Sequence, residues 1–254
     1  EKFAQTEKVI TLFSMGVNQS SQGVNKANSI INCHLLTGKI GKLGAAPFSL
    51  TGPPNALGGR EVGGLANMLA AHMDLDNPLH QKVVQTFWDS PFIATQMGLK
   101  AVDLFRAVEA GKIKAIWIMA TNPVVSLPDA DQVKRALEKC ELVVVSDICA
   151  DTDTTAYADV LLPALGWGEK DGTVTNSERR ISRQRAFLPA PGEAKADWWS
   201  VSQVAKKLGF KGFDFASASD IFNEHAALSA QDNADIEACE ESNNFRYFNL
   251  KGLM

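Results

Sequence analysis

Apolar and polar residues follow one another most regularly between residues 99 and 165. The apolar positions recur at helical spacing in some segments and form short runs, rich in Ile or Val, in others. We predict helices at 99–111 and 129–138, a helical turn at 154–158, and strands at 115–119, 142–146 and 159–164. Helices and strands that alternate in this way are typical of a mostly parallel sheet flanked by helices. The pattern therefore predicts a layered, Rossmann-like α/β fold.

The N-terminal part of the chain has a less regular pattern. Residues 9–16 predict a short buried strand, and residues 24–37 predict a helix that ends at Gly38. The apolar face of that helix would carry four side chains: Ile30, Ile31, Leu35 and Leu36. Residues 38–60 are rich in glycine and proline but also contain apolar residues, which predicts a long irregular loop with a function. Helical spacing resumes at 61–72.

The C-terminal part is more polar and predicts helices only. An amphipathic helix is expected after residue 193, followed by two short helical segments at 219–229 and 231–239. We therefore divide the chain into an α/β region, 1–192, and a helical tail, 193–254. The tail is interpreted as part of a parent domain that is incomplete in this chain.

Composition and charge restrict the classes of function. The chain has 254 residues, of which 45% are hydrophobic and 21% charged, and its formal net charge is −4. This is the composition of a soluble globular protein, and it gives no indication of a nucleic-acid surface. No apolar run is long enough for a membrane span and the N-terminus is not a signal peptide, so we expect a cytoplasmic protein. Because the chain does not begin with Met, we expect it to be processed or cut from a longer one.

Cysteine and histidine residues are scattered along the chain. The four cysteines form no CxxC pair and have neither zinc-finger nor ferredoxin spacing, which favours reduced structural thiols: Cys33, Cys140, Cys149 and Cys239. The four histidines lack metal-ligand spacing as well. We therefore expect the chain to hold no metal by its own side chains.

Polar residues stand where two of the predicted strands end. Thr121 and Asn122 follow the first strand, and Ser146 and Asp147 close the second. The carboxyl ends of parallel strands share one edge of a sheet, where hydroxyl and amide groups suit phosphate and an aspartate suits a ribose diol or a guanine edge. The same residues are also common in turns and helix caps, and spacing alone leaves both interpretations open. No G-x-G-x-x-G or P-loop motif is present, so a standard NAD or ATP site is not expected.

Several long motifs resemble one family. The segments AIWIMATNP, VVVSDICADTDTTAYADVLLPALGWGEKDGTVTNSERR and PGEAKADWW resemble the molybdopterin oxidoreductases of the dimethyl sulfoxide reductase family. Within it, SMGVNQSSQGVNKANSIINCHLLTGKIGKLGAAPFSLTG and GGREVGGLANML are most similar to catalytic subunits of nitrate reductases, and DIFNEHAALSA points to the assimilatory branch. The resemblance implies the layered α/β fold that formate dehydrogenase and dimethyl sulfoxide reductase share.

The resemblance also implies a cofactor, molybdenum bis(molybdopterin guanine dinucleotide). Thr121 and Asn122 match positions that hold a phosphate of the dinucleotide. Ser146 and Asp147 match positions where a carboxylate reads the amino edge of guanine. The chemistry agrees, because a carboxylate can accept hydrogen bonds from the N1–H and N2–H groups together.

Further cofactor contacts are implied for two other segments. Glu169 and Lys170, beyond the third strand, match positions near the cofactor. Met15, Asn18 and Gln19 match a segment beside the metal and its dithiolene, which makes Met15 a candidate catalytic residue. The amides of Asn18 and Gln19 could donate to pterin or phosphate oxygens without adding charge.

Arg60 is the candidate residue for substrate binding and the second candidate catalytic residue. Nitrate is a planar anion that a guanidinium fork can bind through two hydrogen bonds, and the glycines of GGRE allow close approach of a ligand. The alternative is an ordinary ion pair between Arg60 and Glu61 or another surface acid. A polar cluster after TVT is interpreted as structural ion pairs near the cofactor channel: Asn176, Glu178, Arg179 and Arg180.

Parts of the family's pattern are missing. Members carry an N-terminal cysteine cluster for a 4Fe-4S centre and, in this branch, a cysteine that ligates molybdenum, but no cysteine precedes Cys33. We therefore expect a central segment that is inactive by itself and does not hold the iron–sulfur cluster. In the whole enzyme, nitrate would be reduced to nitrite by oxygen-atom transfer. The electron donor would be a ferredoxin, a flavodoxin or an NADH-dependent reductase subunit.

Two other functions stay open at this point. The chain could be a segment of a formate dehydrogenase, because those enzymes share the strand-end motifs. It could also come from a non-catalytic scaffold such as the large iron–sulfur subunit of respiratory complex I. The motifs SMGVNQ and GGRE argue against the scaffold, which would have no need of them.

Overall fold

The chain divides into two compact units, Glu1–Ala56 and Leu57–Met254. The computed structural model describes residues 1–18, 20, 22–53, 55–176 and 178–231. The helical segment expected at 231–239 therefore lies outside the described residues from position 232 onward. The division falls within the α/β region 1–192, and the boundary expected after residue 192 stays a prediction.

The first unit contains one pair of parallel strands. Its elements are α1 (Lys2–Gln5), β1 (Ile10–Phe13), α2 (Met15–Asn18), α3 (Gly23–Leu36) and β2 (Ala46–Ser49). β1 pairs with β2 in parallel, with Ile10 opposite Ala46. The expectation that 38–60 is irregular throughout is thus wrong. Pro47 indicated a loop, but a strand that bonds to one neighbour tolerates proline. The prediction that β1 is buried is only partly correct. Ile10 and Leu12 are more than half exposed, on the face of β1 opposite α3.

Helix α3 confirms the helix predicted at 24–37, but it buries a different face. Leu35 and Leu36 are exposed, whereas His34 is completely buried. The His34 Nε2 atom lies 2.8 Å from the Thr11 hydroxyl oxygen on β1, and the ring of Phe3 packs edge-on against the imidazole at 5.0 Å. The predicted face was wrong because a hydrogen bond and an aromatic contact bury a side chain that the hydropathy pattern counts as polar.

The helix predicted at 61–72 does not form. Helix α4 (Ala56–Glu61) ends where that helix should begin, and a short 3-10 helix follows at Ala70–His72. Between them the chain turns at Gly63, whose φ is +72°. A Cβ atom on Gly63 would lie 2.5 Å from the Ala70 backbone nitrogen, so only glycine fits this turn. The spacing of apolar residues fits a helix, but the positive φ of Gly63 prevents a continuous helix from forming there.

A three-stranded parallel sheet forms the centre of the second unit. After α5 (Pro78–Phe87) the elements alternate: α6 (Ala101–Glu109), β3 (Ala115–Met119), α7 (Pro123–Ser126), α8 (Ala130–Lys139), β4 (Leu142–Asp147), a 3-10 turn (Thr155–Tyr157) and β5 (Val160–Pro163). The strands lie side by side in chain order and all run parallel. These bounds confirm the helices and strands predicted between 99 and 165, and with them the α/β fold.

One of two apolar clusters of the second unit lies between one face of this sheet and helices α6 and α8. The other is formed by residues 69–75, Val84 of α5 and Leu228. Alternate residues of β4, such as Val143 and Val145, point into the first cluster, and Ile118 of β3 shares their face because it pairs with Val145. The first cluster is completed by six helical residues: Phe105, Val108, Val124, Val133, Ala136 and Leu137. This packing fixes the sheet, and therefore the edge at which its strands end.

The remaining elements follow β5 in chain order. They are a 3-10 turn (Trp167–Glu169), an antiparallel hairpin of β6 (Gly172–Thr175) and β7 (Ile181–Gln184), and the helices α9 (Asp197–Lys207) and α10 (Ala218–Ser229). The two helices confirm those expected after 193 and at 219–229. The hairpin and α5 were not predicted.

Replacement of Gly63 tests the turn that ends α4. We expect Gly63→Ala to lower the free energy of unfolding by about 2–4 kcal/mol, because it adds left-handed strain and a backbone clash. Urea unfolding followed by circular dichroism measures this. The matched control is Gly59→Ala, where a Cβ meets nothing within 4 Å and the helical residue should be neutral or stabilising. Equal stability of the two variants would contradict the role of the turn.

Candidate functional site

The three parallel strands end together and bring three loops to one edge of the sheet. Met119 at the end of β3 pairs with Ser146, and Asp147 at the end of β4 pairs with Pro163 at the end of β5. The strand ends and the segments that follow them carry six of the ten candidate residues: Thr121, Asn122, Ser146, Asp147, Glu169 and Lys170. The carboxyl ends of parallel strands are where α/β proteins bind ligands, so this edge is the candidate site.

The loop after β3 begins with an unusual backbone conformation. Ala120 has φ = 55°, in the left-handed region that a non-glycine residue seldom adopts, and its N–H donates to the Ser146 carbonyl at 3.0 Å. The sharp turn leaves Thr121 exposed and Asn122 half-buried at the edge. Strained residues of this kind are retained where the surrounding structure requires them, often at ligand sites.

A buried threonine determines which part of the Asn122 side chain is available. The Thr154 hydroxyl is completely buried and accepts the Val124 N–H at 3.3 Å. It donates its own proton to Asn122 Oδ1 at 2.5 Å. The amide oxygen of Asn122 is thus bound within the protein, and the amide NH₂ is left as a donor. A group that only donates suits an oxyanion such as phosphate.

Ser146 and Asp147 are placed differently, although they are neighbours in sequence. Ser146 is buried, and its hydroxyl oxygen accepts the Trp117 indole N–H at 2.8 Å. Asp147 is half-buried, and its Oδ1 accepts the Cys149 N–H at 3.0 Å. No partner for Asp147 Oδ2 is found in the described part of the chain. Asp147 therefore keeps a free acceptor at the edge, whereas Ser146 faces its own sheet.

Glu169 and Lys170 already have partners within the protein. Glu169 Oε2 accepts the Gly166 N–H at 2.7 Å and closes the 3-10 turn that follows β5. Lys170 Nζ forms an ion pair with Asp197 Oδ2, at 3.1 Å, at the start of α9. These contacts fix the third loop of the edge. The cofactor contacts expected for the two residues stay predictions.

Met15 and Asn18 lie in the first unit, at the two ends of α2. Both are exposed. The Met15 methyl group lies 2.4 Å from the position that a Cβ on Gly52 would occupy. A Cβ on Gly23 would lie 2.1 Å from the Asn18 carbonyl oxygen, so α2 is held against two glycines. Gln19 lies outside the described residues, and its expected role stays a prediction.

Arg60 is exposed at the C-terminal end of α4, and its expected alternative partner is occupied. No ion pair or hydrogen bond of its side chain is found among the residues that the structure describes. Glu61 is buried and bound by Arg179, whose Nε donates to Oε1 at 2.9 Å and whose terminal nitrogen donates to Oε2 at 3.3 Å. The alternative of an Arg60–Glu61 ion pair is therefore wrong.

A cluster of charged residues surrounds Glu61. The Nε2 atom of His72 lies 2.9 Å from Glu61 Oε2, a distance that fits an ion pair although the angles do not fit a hydrogen bond. His72 and Arg179 have φ angles of 60° and 67°, so two partners of this carboxylate are in the left-handed region. His225 of α10 is also electrostatically coupled to Glu61. No motif in the sequence indicates this cluster, because its members come from four separate segments.

The polar residues after TVT form ion pairs, as expected, whereas their expected place near the cofactor channel stays a prediction. Arg179 binds Glu61, and Arg180 lies 3.7 Å from Glu178 in an exposed pair. Asn176 Oδ1 accepts the N–H groups of Glu178 and Arg180 and so shapes the turn between β6 and β7. One of the two arginines is therefore tied to the buried carboxylate, and the other faces solvent.

Comparison with known proteins identifies the family. A sequence model of the family described as molybdopterin oxidoreductase matches residues 1–207. The chain therefore belongs to the molybdopterin oxidoreductase family, as its motifs predicted. Membership implies a molybdenum–pterin cofactor.

Nitrate reductases are among the most similar relatives. The nitrate reductase of Klebsiella oxytoca is 57% identical over 91% of this chain and 27% of that protein. The assimilatory nitrate reductase catalytic subunit of Bacillus subtilis is 36% identical, over 88% of this chain and 32% of that subunit. The F420-dependent formate dehydrogenase subunit alpha of Methanocaldococcus jannaschii is also 36% identical, over 90% and 33%. The chain thus spans about a quarter to a third of each relative, which agrees with the prediction of a segment.

The described residues lack two further features. They contain no group of three or more His, Cys, Asp or Glu side chains that could hold a metal ion. None of the described helices is both long and apolar enough to cross a membrane.

Substitution of Thr154 tests how Asn122 is oriented. We expect Thr154→Val to destabilise the chain by about 1–3 kcal/mol, because it leaves the buried Val124 N–H without an acceptor and frees the Asn122 amide to rotate. Urea unfolding measures the loss. Thr154→Ser keeps the hydroxyl and should recover most of the stability; a Ser variant as unstable as the Val variant would contradict this.

The environment of His225 predicts a dependence of stability on pH. Burial lowers the pKa of His225 below its ordinary value of 6.5; the Glu61 carboxylate raises it, and the charge of His72 lowers it. Below pH 6.5 the unfolded chain therefore binds a proton that the folded chain does not, and stability falls as the pH falls. We expect urea midpoints measured from pH 8 to pH 5 to decrease less for His225→Gln than for the wild type. Parallel curves would contradict the lowered pKa.

Proposed function

We propose that this chain is the central cofactor-binding segment of a molybdenum nitrate reductase that reduces nitrate to nitrite. Support for nitrate comes from the 57% identity with a nitrate reductase over most of the chain. The structural observation that carries the proposal is the exposed guanidinium of Arg60, which has no partner in the described structure although an acidic residue is its neighbour in sequence.

The groups left available at the sheet edge fit a pterin guanine dinucleotide. The NH₂ group of Asn122 can donate to a phosphate oxygen, and Thr121 is exposed beside it. The free Oδ2 of Asp147 can accept from the amino edge of guanine. These are the acceptor and donors that the nucleotide end of the cofactor requires. We therefore infer that the form of the cofactor is molybdenum bis(molybdopterin guanine dinucleotide).

The reaction assigns separate tasks to the cofactor and to this chain. When bound, the molybdenum centre supplies two-electron oxygen-atom transfer, in which nitrate, two electrons and two protons give nitrite and water. The Arg60 fork would bind nitrate in its plane and orient it through two charge-assisted hydrogen bonds. Met15 would pack beside the metal as an uncharged wall of the site. Asn18 and Gln19 would donate to oxygens of the cofactor.

Other functions of the enzyme belong to parts outside this chain. We propose that a 4Fe-4S cluster in the full-length protein delivers the electrons, and that a ferredoxin, a flavodoxin or an NADH-dependent subunit is the donor. We also propose that the enzyme acts in the cytoplasm and that the isolated chain is inactive.

Formate dehydrogenase is the second candidate, because a formate dehydrogenase subunit also matches 90% of this chain. Formate is, like nitrate, a small planar anion that the Arg60 fork could bind. The two candidates differ in the direction of electron flow. A reduced viologen supports nitrate reduction, whereas an oxidised viologen is needed for formate oxidation.

Substitution of Arg60 in the full-length enzyme tests the proposed function. We expect Arg60→Lys and Arg60→Ala to raise the KM for nitrate about 10–100-fold, because both lose the bidentate hydrogen bonds, with molybdenum content unchanged. Initial rates with reduced viologen measure this. The control is Arg106→Ala, which removes an exposed arginine paired with Asp103 and should leave the KM unchanged. An unchanged KM in both Arg60 variants, or formate oxidation by the wild type in place of nitrate reduction, would contradict the proposal.

A further inference from the structure

The buried carboxylate of Glu61 is adjacent in sequence to the substrate-binding candidate. We propose that Arg179, by binding Glu61, is a positioning residue that keeps Arg60 available for its anionic substrate. The proposal rests on the proposed function, because it assumes that Arg60 binds nitrate. It adds a residue 118 positions away from Glu61 to the determinants of nitrate affinity.

The contact between Arg179 and Glu61 has the geometry of a specific pair. Two nitrogens of the guanidinium reach the two oxygens of one carboxylate, at 2.9 and 3.3 Å. The Glu61 side chain is about 10% exposed and the Arg179 side chain 35%. If Glu61 lost this partner, only the His72 imidazole, 2.9 Å from Oε2 and charged only when protonated, would remain beside the buried carboxylate, and a poorly compensated buried charge is costly. The pair is therefore not an ordinary surface ion pair.

The backbone fixes Arg60 with respect to this pair. The Arg60 carbonyl oxygen accepts the Gly63 N–H at 3.1 Å, and the Gly59 carbonyl accepts the Gly64 N–H at 2.7 Å. A Cβ on Gly64 would lie 2.8 Å from the Gly59 carbonyl oxygen, so the turn is closely packed. Arg60 is thus the one exposed residue of α4, and the next residue, Glu61, is buried and bound.

The charge of Glu61 explains why Arg60, and not Arg179, is available to bind the substrate. Glu61 and Arg179 carry opposite charges that compensate each other, so the positive charge of Arg60 stays available to an anion. Without Arg179, the negative charge of Glu61, which only the His72 imidazole would then contact, would attract Arg60 and repel nitrate. Arg179 therefore acts on nitrate affinity through the carboxylate, without contact with the substrate.

Variants of Arg179 and Glu61 in the full-length enzyme distinguish the positioning role of Arg179 from a general loss of structure. We expect Arg179→Gln to raise the KM for nitrate about tenfold and to leave kcat within about twofold, since binding and not the chemical step is affected. Arg179→Lys keeps the charge and should raise the KM less. The double variant Glu61→Gln/Arg179→Gln removes both charges and should return the KM to within about threefold of the wild type. Recovery by a second substitution is not expected from structural damage.

The matched control is Arg180→Gln, which removes the next arginine, whose partner Glu178 is exposed, and should change neither constant. Arg179→Gln with an unchanged KM, or a double variant no better than Arg179→Gln, would overturn the proposal. If Arg60→Lys nevertheless raises the KM in the same assays, only the role of Arg179 is overturned, and the proposed function is retained. If Arg60→Lys does not, the proposed substrate role of Arg60 fails, and this proposal fails with it.

Discussion

Parallel pairing of β3, β4 and β5 is the constraint on which the candidate site depends. Because the strands run in one direction and pair in register, the three loops that follow them must leave the sheet at the same edge. The valines of β4 hold this arrangement by packing against α6 and α8. The common edge is thus a consequence of core packing, and the polar residues along it need no interactions of their own to be brought together.

Internal hydrogen bonds then decide which polar groups remain for a ligand. Thr154 binds the amide oxygen of Asn122, and the Cys149 N–H binds one oxygen of Asp147. Arg179 occupies the carboxylate of Glu61. The groups that remain available are the NH₂ donor of Asn122, the Oδ2 acceptor of Asp147 and the cation of Arg60. Such internal bonding explains how neighbouring polar residues can differ in what they offer a ligand, as Ser146 and Asp147 do.

Much of the fold was predictable from local patterns, and the failures have physical causes. β3 and α8 follow from apolar periodicity and from Asp129, which caps α8 by accepting the Gln132 N–H. The helix expected at 61–72 failed because Gly63 adopts a positive φ that hydropathy does not report. The family motifs indicated the residues of the sheet edge and Arg60 as candidates for a site. The Glu61–Arg179 pair was not predictable, because no local signal joins residues so far apart in sequence.

The most direct test of the sheet edge is the guanine nucleotide retained by the holoenzyme of an Asp147→Asn variant. The substitution keeps the Oδ1 acceptor for Cys149 but replaces the free acceptor by a donor, which would oppose the N–H groups of guanine. We predict that the guanosine monophosphate released by acid, per mole of purified protein, falls to about half of the wild-type value or less, because the altered edge loses its hydrogen bonds. Release equal to that of the wild type would contradict the assignment of this edge to the guanine end of the cofactor.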